Sequence, residues 1–121
     1  MSSKIGEMVW FDIPVNDFER SKVFYSELLG WQFELMGPDY WLIKVDKEPI
    51  GGLKKSRTAI TDETEMPILY FKVDRLDPAV RRIKSLGGTL IGERMDIPNN
   101  MGCFHLFRDK DKNLLGLWAQ S

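Results

Sequence analysis

The stretch from Met8 to Val15 alternates along its length and is rich in aromatic and β-branched residues, which predicts a strand. Asn16-Asp17 then offers a helix cap. Phe18, Tyr25, Leu28 and Leu29 recur on one side of the following segment, and Gly30 stops it where a left-handed residue is usually needed. Three further strands are expected at Trp31 to Met36, Tyr40 to Asp46 and Ile50 to Lys55. The turns between them are expected at Gly37-Pro38-Asp39 and Lys47-Glu48-Pro49. Ser56 to Met66 is polar and acidic, lacks periodicity, and reads as a linker.

The same order of signals then returns. Met66 to Val73 predicts a strand, and Asp77-Pro78 a helix cap with proline in the first helical position. Ala79, Val80, Ile83 and Leu86 form an apolar stripe opposite Arg81, Arg82 and Lys84, and Gly87-Gly88 closes the helix. Strands are expected at Thr89 to Arg94, Gly102 to Arg108 and Leu114 to Ala119. The two halves are offset by 58 residues at first, matching Val15 with Val73 and Gly30 with Gly88. The offset grows to 64 later, matching Gly52 with Gly116. A βαβββ unit written twice predicts an α+β protein, one domain over residues 1–121. Its modules would span 5–55 and 66–120, with helices on one face of a largely antiparallel sheet.

Composition narrows the partners. The 121 residues are 43% hydrophobic and 12% aromatic, enough for a core without covalent staples. Seventeen basic and eighteen acidic side chains leave a formal charge of -1 and no basic stripe, so nucleic acid is not an expected partner. No apolar run of membrane length and no signal-peptide pattern is visible, which predicts a cytoplasmic protein without a membrane partner. The single cysteine, Cys103, rules out an internal disulfide.

Ile13-Pro-Val-Asn-Asp-Phe-Glu-Arg-Ser21, Phe24-Tyr25 and Leu28-Leu-Gly-Trp31 resemble the vicinal oxygen chelate superfamily. Ile97-Pro-Asn-Asn-Met-Gly102 and Arg108-Asp-Lys-Asp-Lys-Asn113 resemble that superfamily's second-module ending. The superfamily includes glyoxalase I, extradiol dioxygenases and bleomycin resistance proteins. The resemblance covers nearly the whole chain and is similar to a glyoxalase-related branch. It implies curved mixed sheets around a cavity, the glyoxalase/bleomycin-resistance fold, and a homodimer. It also implies four inward metal ligands, which carry over to Trp10, Gly52, Ile68 and Gly116. None of these four can hold a divalent ion, so neither a metal nor another cofactor is expected.

Strand alternation places further residues on the face that the ligands would have shared. Asp12 follows from Trp10, Tyr70 and Lys72 from Ile68, and Leu114 and Trp118 from Gly116; Val9, Phe11 and Ile13 face the helices. Met101, in the flexible, uncharged segment Pro98–Gly102, is placed near a ligand by the resemblance. Trp10, Asp12, Ile68, Tyr70, Lys72, Met101 and Trp118 are thus the candidate small-molecule site. Asp12 is its candidate catalytic residue: among aromatic rings its carboxylate is partly desolvated, which suits a general base or a cation anchor. The opposing reading pairs it with Lys72 at a hydrated rim. Trp10 and Tyr70 could equally fill the metal's space as core. Trp31 reads as core, and Cys103 with His105 as a buried pair rather than a nucleophile and its base.

Three functions remain open from sequence. The first is a metal-free binder of a small, partly apolar molecule. The second is a lyase or isomerase related to lactoylglutathione lyase with an atypical site, and the third a non-catalytic structural or regulatory module.

Overall fold

A computed structural model describes residues 4–56 and 66–121. Of the expected linker, residues 57–65 lie outside the described residues. The chain divides into two compact units, one of Trp10–Pro67 and one of Ile68–Ser121 together with the residues up to Val9.

In the first unit, β1 (Met8–Val15) leads into α1 (Phe18–Leu29), then β2 (Gln32–Gly37), β3 (Tyr40–Val45) and β4 (Glu48–Lys55). Its strand order is β2-β3-β4-β1. The β1–β4 pair is parallel and the other two are antiparallel. Register then assigns the faces. Asp12 lies opposite Gly52, and Gly52 opposite Leu42, so these share one face; Ile13, Leu53 and Trp41 share the other. The second face is the core. Val15, Ile43 and Leu53 are buried, with Phe11, Ile13, Phe18, Tyr25, Trp31 and Trp41 packed on them.

Aromatic contacts fasten α1 to that core. Phe18 stacks on Trp41 with centroids 4.0 Å apart, and Tyr25 on Trp31 at 5.1 Å. Asp17 caps the helix by accepting from the Arg20 N–H at 3.1 Å. Gly30 ends it at φ 72, its own N–H reaching the Ser26 carbonyl. The expected apolar side of α1 is only half used: Leu28 and Leu29, beyond the last aromatic contact, are exposed. The second hairpin turn also differs from expectation. It falls on Asp46-Lys47, both with positive φ, the geometry whose twist suits a two-residue hairpin; Pro49 lies within β4.

The second unit follows the same plan, with β5 (Ile68–Lys72), α2 (Leu76–Ser85), β6 (Thr89–Asp96), β7 (Cys103–Arg108) and β8 (Leu114–Ala119). Its strand order is β5-β8-β7-β6, with β5–β8 parallel. Buried Leu76, Cys103 and Ala119 form its core beneath α2, with Val73, Val80 and Leu117. Leu76 also corrects the expected helix start. Its burial brings α2 in one residue before Asp77, whose carboxylate bonds the Arg94 guanidinium at 3.1 Å instead of capping the helix. Leu86, expected in the buried stripe, is the helix's C-cap and is exposed, because Gly87 turns the chain at φ 94.

The register confirms the internal repeat. Asp12 is the partner of Gly52 in one parallel pair, and Tyr70 that of Gly116 in the other. Leu42 opposite Gly52 likewise matches Leu106 opposite Gly116.

Candidate functional site

On the first unit's non-core face, three side chains form a directed chain of hydrogen bonds. Trp10 Nε1 donates to the Tyr40 hydroxyl at 2.8 Å, and that hydroxyl donates to Asp12 Oδ1. All three residues are half-buried. Local structure explains the convergence. Alternation puts Trp10 and Asp12 on one side of β1, and Gly52, opposite Asp12, has no side chain. Tyr40 at the start of β3 leans into that notch, where a Cβ on residue 52 would overlap its hydroxyl. The same face carries a Lys44–Glu34 ion pair at 2.6 Å and the exposed Lys54.

The second unit repeats the notch with different chemistry. Tyr70, buried at 6% exposure, lies over Gly116, where a Cβ would overlap its ring. Phe104 meets Tyr70 edge-on, with centroids 5.5 Å apart and planes at 84°. Trp118 is opposite Phe104 on the neighbouring strand, and its indole N–H donates to the Met101 carbonyl at 2.9 Å. Gln120 holds the Asn100 carbonyl at 2.9 Å, and Ile97 and Gly102 close the segment by a backbone bond. The segment carrying Met101 was expected to be a flexible loop and is instead pinned by these bonds, with Asn99 and Asn100 in the left-handed region.

Of the candidate residues, Trp10 and Asp12 meet through Tyr40, and Trp118 meets Met101. Ile68, Tyr70 and Lys72 share β5, and of these Tyr70 is the one fixed over a glycine. Sequence reasoning missed Tyr40. The signal was available, because the offset of 64 that matches Gly52 with Gly116 also matches Tyr40 with Phe104, and both contact a notch residue.

Cys103 and His105 lie on the opposite face, within the α2 side of the sheet. The Cys103 thiol points to the Ala119 carbonyl at 3.5 Å. Burial pushes that thiol up, outweighing the downward pull of the Arg94 charge. His105 is 6% exposed, and neither ring nitrogen has a hydrogen-bond partner among the described residues. At the β7–β8 turn, Asp109 accepts from the Asn113 side chain and from the Asn113 and Asp111 N–H groups. These bonds, chiefly the Asn113 side chain's, hold its carboxyl below the usual range. The turn dispenses with glycine by placing Lys112 at φ 69.

The four positions that the resemblance assigns to metal ligands do not fit an ion. Trp10 and Ile68 offer no donor, and tyrosine rings occupy the notches at Gly52 and Gly116. Among the described residues, no group of three or more His, Cys, Asp or Glu side chains is placed to hold a metal. No helix among them is long and apolar enough to cross a membrane.

The doubled βαβββ order is the one expected of the glyoxalase/bleomycin-resistance fold. Residues 7–117 match the model of the Glyoxalase/Bleomycin resistance protein/Dioxygenase superfamily, and the chain belongs to that superfamily. A glyoxylase-like domain-containing protein of Didymella fabae is 24% identical over 116 residues, covering 89% of each chain. Among solved structures, a Mn(II)-bound glyoxalase of Novosphingobium aromaticivorans superposes with a TM-score of 0.72 at 17% identity. The match covers 98% of this chain and 40% of that one. Methylmalonyl-CoA epimerase of Mycobacterium tuberculosis gives 0.65 at 18% identity, covering 100% and 93%. At such identities the structural likeness speaks for the glyoxalase/bleomycin-resistance fold.

Proposed function

We propose that this chain is a metal-independent member of its superfamily that binds a small, partly apolar molecule through the face carrying Trp10, Asp12 and Tyr40. The observation that carries this reading is the Trp10–Tyr40–Asp12 hydrogen-bond chain over Gly52. It presents a fixed carboxylate beside two aromatic side chains, the few convergent polar groups on an apolar wall that mark small-molecule sites. On the second unit, taken by itself, Ile68, Tyr70, Lys72, Met101 and Trp118 are the proposed ligand-contacting residues. Asp12 is the group proposed to engage the ligand, as an anchor or as a general base.

The lyase or isomerase reading keeps a place through the glyoxalase and epimerase neighbours, with Asp12 as its base. One observation favours the non-catalytic reading for the second unit, because buried Tyr70 fills the Gly116 notch as core would. We expect a two-fold homodimer in the cytoplasm with no cofactor.

The test is a native mass spectrum of gently purified protein, recorded without added metal or chelator. An organic adduct without metal is expected. One divalent ion per subunit would overturn the reading and return a metal enzyme.

A further inference from the structure

We propose that the outward face of α1 is a self-docking surface, on which α1 of a second copy of this chain lies antiparallel; this rests on the homodimer expected above and locates its contact. The internal repeat supplies the contrast that carries the inference. α2 presents Arg81, Arg82 and Lys84 to solvent, as a surface helix does, and packs Val80 on its core. α1 gives Phe18 and Tyr25 to its core and is apolar on its outward side as well. There Val23, Phe24 and Leu28 are 55%, 58% and 62% exposed. Phe24 is held by an edge-on contact with Tyr25, with centroids 5.1 Å apart. A helix apolar on two sides asks for two partners, and the described residues of its unit supply one.

The charges on this face select the second partner. Arg20, Val23, Phe24, Glu27 and Leu28 follow the i, i+3, i+4, i+7, i+8 spacing of one helical stripe. Arg20 and Glu27 are exposed, and neither has an ion-pair partner among the described residues. They lie equally far from the point midway between Val23 and Phe24. A two-fold axis through that point sets Arg20 of each copy opposite Glu27 of the other, with Val23 and Phe24 at the centre. The stripe is thus complementary to itself reversed, with an apolar middle and opposite charges at the rim. A stripe of one charge sign would instead repel its own copy.

Sedimentation equilibrium over a dilution series tests the contact. The wild type is expected to dimerise reversibly, since one helix face is a small interface. Phe24→Ser should weaken the dimer about tenfold or more. Arg20→Glu and Glu27→Arg each place like charges across the axis twice, and each should weaken it about tenfold. All three side chains are exposed, so the fold should survive, as circular dichroism checks. An equimolar mixture of Arg20→Glu and Glu27→Arg is the most specific sample. One variant then carries two acids and the other two bases, so a heterodimer restores both cross-pairs and should regain most of the wild-type affinity.

A dimer indifferent to all three substitutions would overturn the proposal while leaving the homodimer expectation standing. Weakened variants that the mixture does not rescue would overturn it as well, because the two charges would not face each other. A wild type that stays monomeric at the highest concentration would overturn the proposal and the homodimer expectation together. The ligand-binding reading stands or falls separately, on the native mass spectrum.

Discussion

The two units place different chemistry on one geometric plan. Each has a glycine on its last strand, a partner residue on its first strand and an aromatic side chain on its third. In the first unit these are Gly52, Asp12 and Tyr40, joined by a hydrogen bond and extended to Trp10. In the second they are Gly116, Tyr70 and Phe104, joined by an edge-to-face ring contact. The notch is thus filled in both, by a half-buried phenol that serves a carboxylate and by a buried phenol that serves the core. A repeat preserves backbone positions more readily than chemistry, because backbone register fixes where a side chain points and not what it carries.

Perturbing the second unit's notch should cost most. Tyr70→Ala should destabilise the protein by about 3 kcal/mol or more, as large-to-small changes of buried aromatics do. Urea unfolding measures it, and a loss near zero would show that Tyr70 is not core. Next come the glycines. Gly116→Ala drives a methyl group into a buried ring and should cost about 1–3 kcal/mol by overpacking. Gly52→Ala meets the far end of the half-buried Tyr40 side chain rather than the body of a buried ring, and should cost less in the same assay. Equal costs would erase the distinction between the notches.

Tyr40→Phe keeps the ring and removes the hydrogen bonds of its hydroxyl to Trp10 and Asp12, so a loss of about 1 kcal/mol is expected in unfolding. Cys103 should resist alkylation by iodoacetamide until the protein is unfolded, since burial raises its thiol pKa and blocks access. Rapid native labelling would show that the α2 side opens. The smallest effect is expected from Asp109→Ala in the β7–β8 turn. Because folding lowers the Asp109 pKa, its contribution is present above the ordinary carboxylate range and fades as pH falls through that range. The variant should therefore differ slightly from the wild type at neutral pH and converge with it in acid, as thermal melts at both would show.

Much of the fold was legible because periodicity and repetition are local properties. The strand and helix order, the Gly30 stop and the pairing of Gly52 with Gly116 all follow from spacing. What spacing left out depends on burial by distant parts of the chain. Leu76 starts α2 early because its side chain is needed in the core, and Leu28, Leu29 and Leu86 are apolar but exposed because no described part of their units covers them. The candidate site was half legible. Alternation put Trp10 and Asp12 together on β1, yet Tyr40 sits at a hairpin start some thirty positions away. A void at Gly52 is visible in sequence, but the side chain that enters it is settled by three-dimensional register.

The hydrogen-bond chain of the first unit is what separates it from the second, and the indole N–H signals of Trp10 and Trp118 report on it directly. Trp10 donates to a side chain, Trp118 to a backbone carbonyl. Comparing ¹H–¹⁵N spectra of the wild type and Tyr40→Phe should show the Trp10 indole signal displaced and the Trp118 signal unmoved. A Trp10 signal unchanged by the loss of the Tyr40 hydroxyl would mean that the chain ending on Asp12 does not exist in solution.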